Sequence, residues 1–284
     1  MSAATVVAAP SAWKRATRSG GLVIGLVLAV TMVLIAIAAP WIAPYDPNEQ
    51  NVLMKLEPPS AEHWFGTDAF GRDVLSRVIF GARISLFVGA FATLAGVLIG
   101  TIIGVVSGYL GGTVDRLITA ATDVLLSFPQ LIMGLMLVAV LGASLTNLII
   151  AIAITAVPAF IRVARASTLA MKERDFVDAC RALGFGDLRI MFLHVLPNIM
   201  DEVVVMGSLW FAAAIRTEST LAFIGLGVPP PTATWGGIIR DGFDNLLDAV
   251  WLSVFPSLAI LVIMIALTLI GDGLRDATDP RAPQ

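Results

Sequence analysis

Long uncharged apolar runs recur along this chain, and they constrain its fold more than any other feature. Gly21–Ile42, Ile84–Leu110, Leu117–Leu141, Leu145–Ile161 and Ala249–Ile270 each hold at most one charge. At about 17–27 residues apiece they suit the roughly 20 apolar residues that a helix needs to cross hydrocarbon. A further stretch from Leu196 to Ile224 is interrupted by Asp201 and Glu202 near its start and by Arg216 and Glu218 near its end, so only Val203–Ile215 is charge-free. It is read as a sixth span because an even count keeps both termini on one side. The expected fold is an all-α membrane protein of six transmembrane helices. With 57% hydrophobic and 14% charged residues, the 284-residue chain is not a pair of soluble domains. The net charge of −3 and the lack of a basic run mixed with aromatics exclude nucleic acid as a partner. The single cysteine, Cys180, excludes an internal disulfide. No metal site is expected either, because His63 and His194 are the only histidines and lie far apart.

Lys14, Arg15 and Arg18 precede the first run as in a signal peptide, and Ala36-Ile37-Ala38 imitates a cleavage site. The uncharged run from Ser19 to Tyr45 is too long for a signal core and is read as an uncleaved span. With the N-terminus inside, inner segments hold 12 and outer segments 6 of the 18 Lys and Arg, which predicts cytoplasmic N- and C-termini. The expected organisation is a cytoplasmic tail over 1–20, a membrane domain over 21–275 and a cytoplasmic tail over 276–284. Within the domain, an outer loop covers 44–83, a cytoplasmic loop 162–195 and an outer gate region 216–248.

The cytoplasmic loop contains a polar segment, DFVDACRALGFGDLRIMFLHVLPN, from Asp175 to Asn198. It reads as a short helix that stays out of the lipid to dock on a soluble partner. Asp175 is expected to cap it, with Asp178 in capping-box position. Ala179, Cys180 and Ala182 keep one face slim, and Gly184, after Leu183, is expected to end it in a left-handed conformation. Leu196-Pro197 is expected to open the next membrane helix. In the second run Gly96, Gly100, Gly104 and Gly108 share one helix face and predict a close helix–helix seam. Upstream, Val74, Leu75, Val78 and Ile79 share a face, with Arg72, Asp73, Ser76 and Arg77 elsewhere. That pattern suits a short helix on the outer membrane surface, either an anchor or a docking element.

Two charged positions stand out inside the spans. Asp123 is the lone charge of the third, either a pathway acid or a partner for a neighbouring helix. Arg216 and Glu218 fall near the outer edge of the hydrocarbon, just before the breaker-rich FIGLGVPPP run with Gly225 and Gly227. Irregular backbone at that depth must be buried in protein or line a cavity. It reads as an outer gate or pathway element, or as a loop closed by an ion pair. No P-loop and no placed nucleophile with a base are found, so the chain is not expected to be an enzyme.

The segment Asp178-Ala179-Cys180, Gly184 and Leu196-Pro197 resembles the EAA loop of inner-membrane permease subunits of binding-protein-dependent ABC importers. Asp178 replaces the usual Glu, Cys180 the second Ala, and His194 a common aliphatic. HWFGTDAFGRDVLSRVIFGARISL (His63 to Leu86) and ESTLAFIGLGVPPPTATWG (Glu218 to Gly236) are similar to signatures of the dipeptide, oligopeptide and nickel branch. GDGLRDATDPR (Gly271 to Arg281) resembles its second-permease type. The resemblance implies a type I importer permease of the bacterial inner membrane, forming half of a pore for peptides or a related small solute. It implies a heterodimer with a homologous permease, two cytoplasmic ATPases that bind ATP and Mg, an external solute-binding protein, and no cofactor in this chain. The implied coupling residues are Asp175, Asp178, Ala179, Cys180, Ala182, Leu183, Gly184, Leu196 and Pro197. An ion-coupled secondary transporter is the alternative; it would call for inverted repeats and midplane ionisable residues, of which only Asp123 is a candidate.

Overall fold

The computed structural model describes residues 20–278. Lys14, Arg15, Arg18 and Arg281 lie outside the described residues, as do positions 1–19 and 279–284. The described chain is helical, with one isolated bridge between Thr67 and Asp73. Helix α1 (Gly20–Ile42) is apolar all round and exposes Ile24, Val27, Leu34 and Ile37, as a lipid-facing helix does. Its Gly25 lies against Ala266 and Leu269 of the last helix.

Helix α2 (Val74–Leu110) starts where the Asp73 carboxylate accepts the Ser76 N–H at 2.7 Å, a side-chain cap for an otherwise orphan donor. It stops at Gly111 and Gly112, with φ of +68° and +59°. Here the structure corrects the sequence reading. Residues 74–83 form no separate surface helix but continue unbroken into the span. Arg72, Asp73, Ser76 and Arg77 do not face water: each is at most 4% exposed. The 44–73 loop folds over them, and Asp68 takes Arg72 at 2.6 Å while His63 Nδ1 meets Asp73 at 2.9 Å. Periodicity had identified the shared face but not its cover.

The third span is a bent pair. Helices α3 (Gly112–Ser127) and α4 (Gln130–Leu141) meet at 91° across Phe128-Pro129. Pro129 forces Phe128 into an extended conformation, ψ 133°, which ends α3. Helix α5 (Leu145–Lys172) is capped by Ser144, which accepts from the Asn147 N–H at 3.1 Å. It runs well past Ile161, because Arg162 and Arg165 find carboxylates on α3: Asp123 at 2.9 Å and Asp115 at 2.6 Å. Helix α6 (Asp175–Ala182) and the Asp187–Asn198 helix, α7, follow. Within α7, Ile190–Val195 are π-helical. α7 bends by 60° into α8 (Met200–Ile224). Helix α9 (Trp235–Asp244) is capped by Thr234, and α10 (Trp251–Thr278) closes the described fold. α1, α2, α5 and α10, with the bent pairs α3–α4 and α7–α8, give up to six crossings by length and composition.

The bundle is held most extensively by α2 on α5. A Cβ on Gly96 would sit 2.6 Å from the Ala156 Cβ, and one on Gly100 would sit 2.5 Å from the Phe160 Cβ and 2.7 Å from the Val157 carbonyl. On Gly104 and Gly108 it would meet the carbonyls of Ile161 and Arg165 at 2.6 and 2.8 Å. Backbone approaches backbone along this stripe, the geometry that small residues permit where lipid supplies no hydrophobic drive.

Candidate functional site

At one end of the bundle α6 projects from the core. Arg174 occupies the N-cap position and makes no side-chain cap bond. Asp175, expected as the cap, is the first helical residue, and Asp178 pairs with Arg181 at 2.9 Å instead of closing a capping box. Both carboxylates still lie in the first turn, where the helix dipole favours them. The C-terminus closes as a Schellman motif. The Phe185 N–H donates to the Cys180 carbonyl at 3.1 Å, the Gly184 N–H to the Arg181 carbonyl at 2.9 Å, and Gly184 has φ +77°.

Of α6 only Val177 is fully buried; it packs with Tyr109, Ile190, Met191 and Val195, and Cys180 is half-buried beside it. Ala179, Ala182 and Gly184 are exposed, and Leu183 is 73% exposed. Ala179 and Ala182 of the slim face therefore point away from the chain, while Cys180 packs against it. α6 and its neighbours are strapped to the end of α2 through Tyr109. Its hydroxyl donates to Asp187 at 3.0 Å, its carbonyl accepts from Lys172 at 2.8 Å, and the Arg181 guanidinium lies 5.7 Å from its ring centre. Sequence reasoning missed Tyr109, Lys172, Val177 and Asp187. The available signal was weak: Tyr109 is one of two tyrosines, at the very end of an apolar run.

Leu196 and Pro197 do not open the next span. They end α7, which has already run since Asp187 and forms one bent candidate span with α8, starting at Met200 after the bend. Pro197 supplies no N–H to the ladder, and the turns before it widen into the π-helical stretch. His194 stacks on Phe185 there, ring centres 5.7 Å apart.

At the opposite end the alternative reading of an Arg216–Glu218 ion pair is ruled out. The residues are two positions apart on a helix of 3.6 residues per turn and point to opposite sides. Arg216 is exposed, whereas Glu218 is fully buried, with Oε2 accepting from Ser219 Oγ at 3.2 Å and Oε1 unbonded. The neighbouring wall comes from α2 and α9, where Ser85 Oγ accepts the Trp235 N–H at 3.4 Å. Asp123 is likewise not a buried acid: its side chain is 58% exposed and paired with Arg162. Gly225, φ +96°, ends α8, and a Cβ there would collide with the Arg240 guanidinium. Gly227 folds back on Ala222, and Gly236 packs on Ser219, so the breaker-rich run clasps the last turn of α8.

The chain is similar to known proteins. The profile of the binding-protein-dependent transport system inner membrane component matches residues 96–283, and that of the N-terminal TM domain of oligopeptide transport permease C matches 11–59. A putative peptide transport system permease protein of Brucella suis biovar 1 is 42% identical over 268 residues, 94% of this chain and 90% of the relative. A dipeptide transport system permease protein of Alkalihalophilus pseudofirmus is 40% identical, covering 95% of this chain and 89% of the relative. A glutathione transport system permease protein of Shigella flexneri serotype 5b is 43% identical over the same shares. Among solved structures, the MetNI methionine ABC transporter in inward-facing conformations gives a TM-score of 0.59 at 16% identity, covering 72% of this chain and 97% of that one. That likeness concerns the fold alone.

Proposed function

The chain belongs to the binding-protein-dependent transport system inner membrane components, and from that premise we propose that it forms half of a pore for small peptides and is driven through α6. As a permease subunit of an ABC importer, it is a multi-pass protein of the bacterial inner membrane and leaves ATP hydrolysis to separate ATPase subunits. The relatives named for peptides, dipeptides and glutathione support a peptide-class solute. The α6 end faces the cytoplasm, with both termini, and the end carrying the 44–73 loop faces outward. The second half of the pore is a homologous permease. Two ATPases holding ATP and Mg sit below, and a solute-binding protein delivers from outside.

The observation that carries this reading is the construction of α6. It offers Asp175, Asp178, Ala179, Ala182, Leu183 and Gly184 to a partner while resting on the bundle through Val177 and the Tyr109 contacts. Such an element transmits a push without itself being part of the packed core. ATPase closure moves α6, α6 moves the ends of α2 and α5, and the pathway opens outward; hydrolysis reverses it. An ion-coupled carrier is not favoured, because the matching family and the relatives are binding-protein-dependent permeases.

The test is contact. Leu183→Cys in a Cys180→Ser background, within the assembled transporter, should cross-link to an ATPase subunit through a short thiol reagent, and ATP should change the yield. Cross-linking only to the second permease, or to nothing, would overturn the assignment.

A further inference from the structure

We infer that a cavity at the loop end of the bundle is a station for a small zwitterion, taking its carboxylate on arginines and its ammonium on aspartates. The inference rests on the orientation and solute class proposed above. The cavity has a volume of about 540 Å³, room for a small peptide with its water. The 44–73 loop contributes Gln50 and Phe70 to its wall, α2 and its leading turn contribute Arg77 and Arg72, and α9 contributes Arg240, Asp241 and Asp244. The Gly225–Thr232 turn closes one side.

The arginines are only partly satisfied from within: the buried Asp68 carboxylate pairs with both, at 2.6 Å from Arg72 Nε and 3.4 Å from Arg77 Nε. The side chains of Arg72 and Arg77 are each 5% exposed. Among the described residues their hydrogen bonds use one N–H of each: Arg72 Nε to Asp68 at 2.6 Å and Arg77 Nη1 to the Pro47 carbonyl at 3.2 Å. Arg77 Nε is buried without a hydrogen-bond acceptor. The Asp241 carboxylate stands 3.6 Å from Arg72 Nη2 and 3.9 Å from Arg77 Nη2, close enough to attract and too far to bond. A guanidinium has five N–H donors in a fixed fork that matches a carboxylate. Arg77 Nε faces Asp68, so the donors left for the cavity are the Nη2 groups of Arg72 and Arg77, which approach Asp241 on its wall without bonding it and favour an oxyanion there. Arg240 adds a third guanidinium, lying over Gly225, where only a missing side chain leaves room.

The wall carries the opposite charge as well. Asp241 is 38% exposed at the rim and Asp244 lines the same cavity. Arginines and aspartates together make a polyanion a poor fit and a lone carboxylate an incomplete one. A molecule with one carboxylate and one ammonium group, such as a free dipeptide, matches both signs.

The experiment uses the reconstituted transporter with Thr232→Cys, an exposed rim position, in the Cys180→Ser background. The modification rate of Thr232→Cys by an impermeant thiol reagent is followed by mass on this chain. Dialanine is expected to slow it about tenfold at roughly ten times its Kd. Dialanine amide and N-acetyl-dialanine, each lacking one charge, should leave the rate unchanged. Arg240→Gln and Asp244→Asn should each abolish protection; both sit at the rim and spare the Asp68 pairs whose loss could unfold the loop. No protection by dialanine, equal protection by the single-charge analogues, or protection untouched by both variants overturns the inference. Protection seen only with the docked binding protein, and not with free dialanine, also overturns it and assigns the arginines to a side chain of that protein. Dialanine uptake in the same proteoliposomes with binding protein and ATP separates the readings. Uptake without protection sinks the station alone; absence of both sinks the peptide reading too.

Discussion

Replacing Gly184 tests how α6 is held. Its φ of +77° lies in the left-handed region, and an added Cβ meets no atom within 4 Å. Any effect of a side chain there is therefore backbone strain, not a clash within this chain. The left-handed conformation costs an L-residue about 1–2 kcal/mol, less for Asn and more for a β-branched residue. Against that stands the anchorage of α6. Val177 is its one fully buried side chain, and complete burial of a valine contributes about 1.5–3 kcal/mol. A strain of about 1–2 kcal/mol lowers the docked-to-undocked ratio by a factor of roughly 5–30. Against an anchorage of about 1.5–3 kcal/mol, Gly184→Val should thus lower binding-protein-stimulated ATPase and uptake by up to about threefold, while Gly184→Asn stays near wild type. Global thermal stability should change little, because the lesion is local. The assay is stimulated ATPase in reconstituted complex, with hydrogen exchange at the Phe185 amide reporting the Schellman bond. Wild-type coupling in Gly184→Val would refute the reasoning. Equal damage from Asn and Val would show that a partner surface, not the turn, excludes the side chain.

Other outcomes follow from the same contacts. Gly100→Val places a side chain where even a Cβ would lie 2.5 Å from Phe160; overpacking of this kind costs about 1–3 kcal/mol or more, and the yield of folded complex should fall sharply. Glu218→Ala should destabilise the α8–α9 junction, seen as a lower melting temperature of the complex, whereas Arg216→Gln should not reproduce it, since the two residues share no ion pair. An impermeant thiol reagent added to intact cells should label Lys55→Cys and not Leu188→Cys, both exposed positions at opposite ends, in the Cys180→Ser background; the reverse pattern would invert the orientation.

The spans and the α6 turn were legible because they depend on local rules. Gly184 follows Leu183 at the end of a short helix, and that spacing alone specifies the Schellman closure. The glycine stripe in α2 was legible for the same reason, since four-residue spacing fixes a face. What stayed hidden depends on distant partners. Tyr109 meets Asp187 across 78 positions of chain, and no periodicity connects them. Arg72 and Arg77 look water-facing until the 44–73 loop is laid over them. The bend at Phe128-Pro129 was masked because hydropathy sums apolar residues without registering that the helix has stopped. The alternative of an Arg216–Glu218 ion pair rested on proximity in sequence, although two positions along a helix separate side chains more than three or four do.

Helix α2 holds one further consequence. It is 37 residues long with no proline inside, about 55 Å at helical rise, against roughly 30 Å of hydrocarbon. Taken as a stiff beam, it meets α5 backbone to backbone at Gly96–Gly108, off its middle, while side chains of α8 and α9 rest on it at Gly89 and Gly81. From the centre of the α5 contact the arm to Tyr109 is about 10 Å and the arm to Arg77 about 37 Å. Any rocking about that contact would multiply displacement. Moving the Tyr109 end by about 1 Å would swing the cavity wall at Arg77 by three to four times as much, in the opposite direction. The glycines that serve close packing would then also set the gear ratio between the two faces of the membrane.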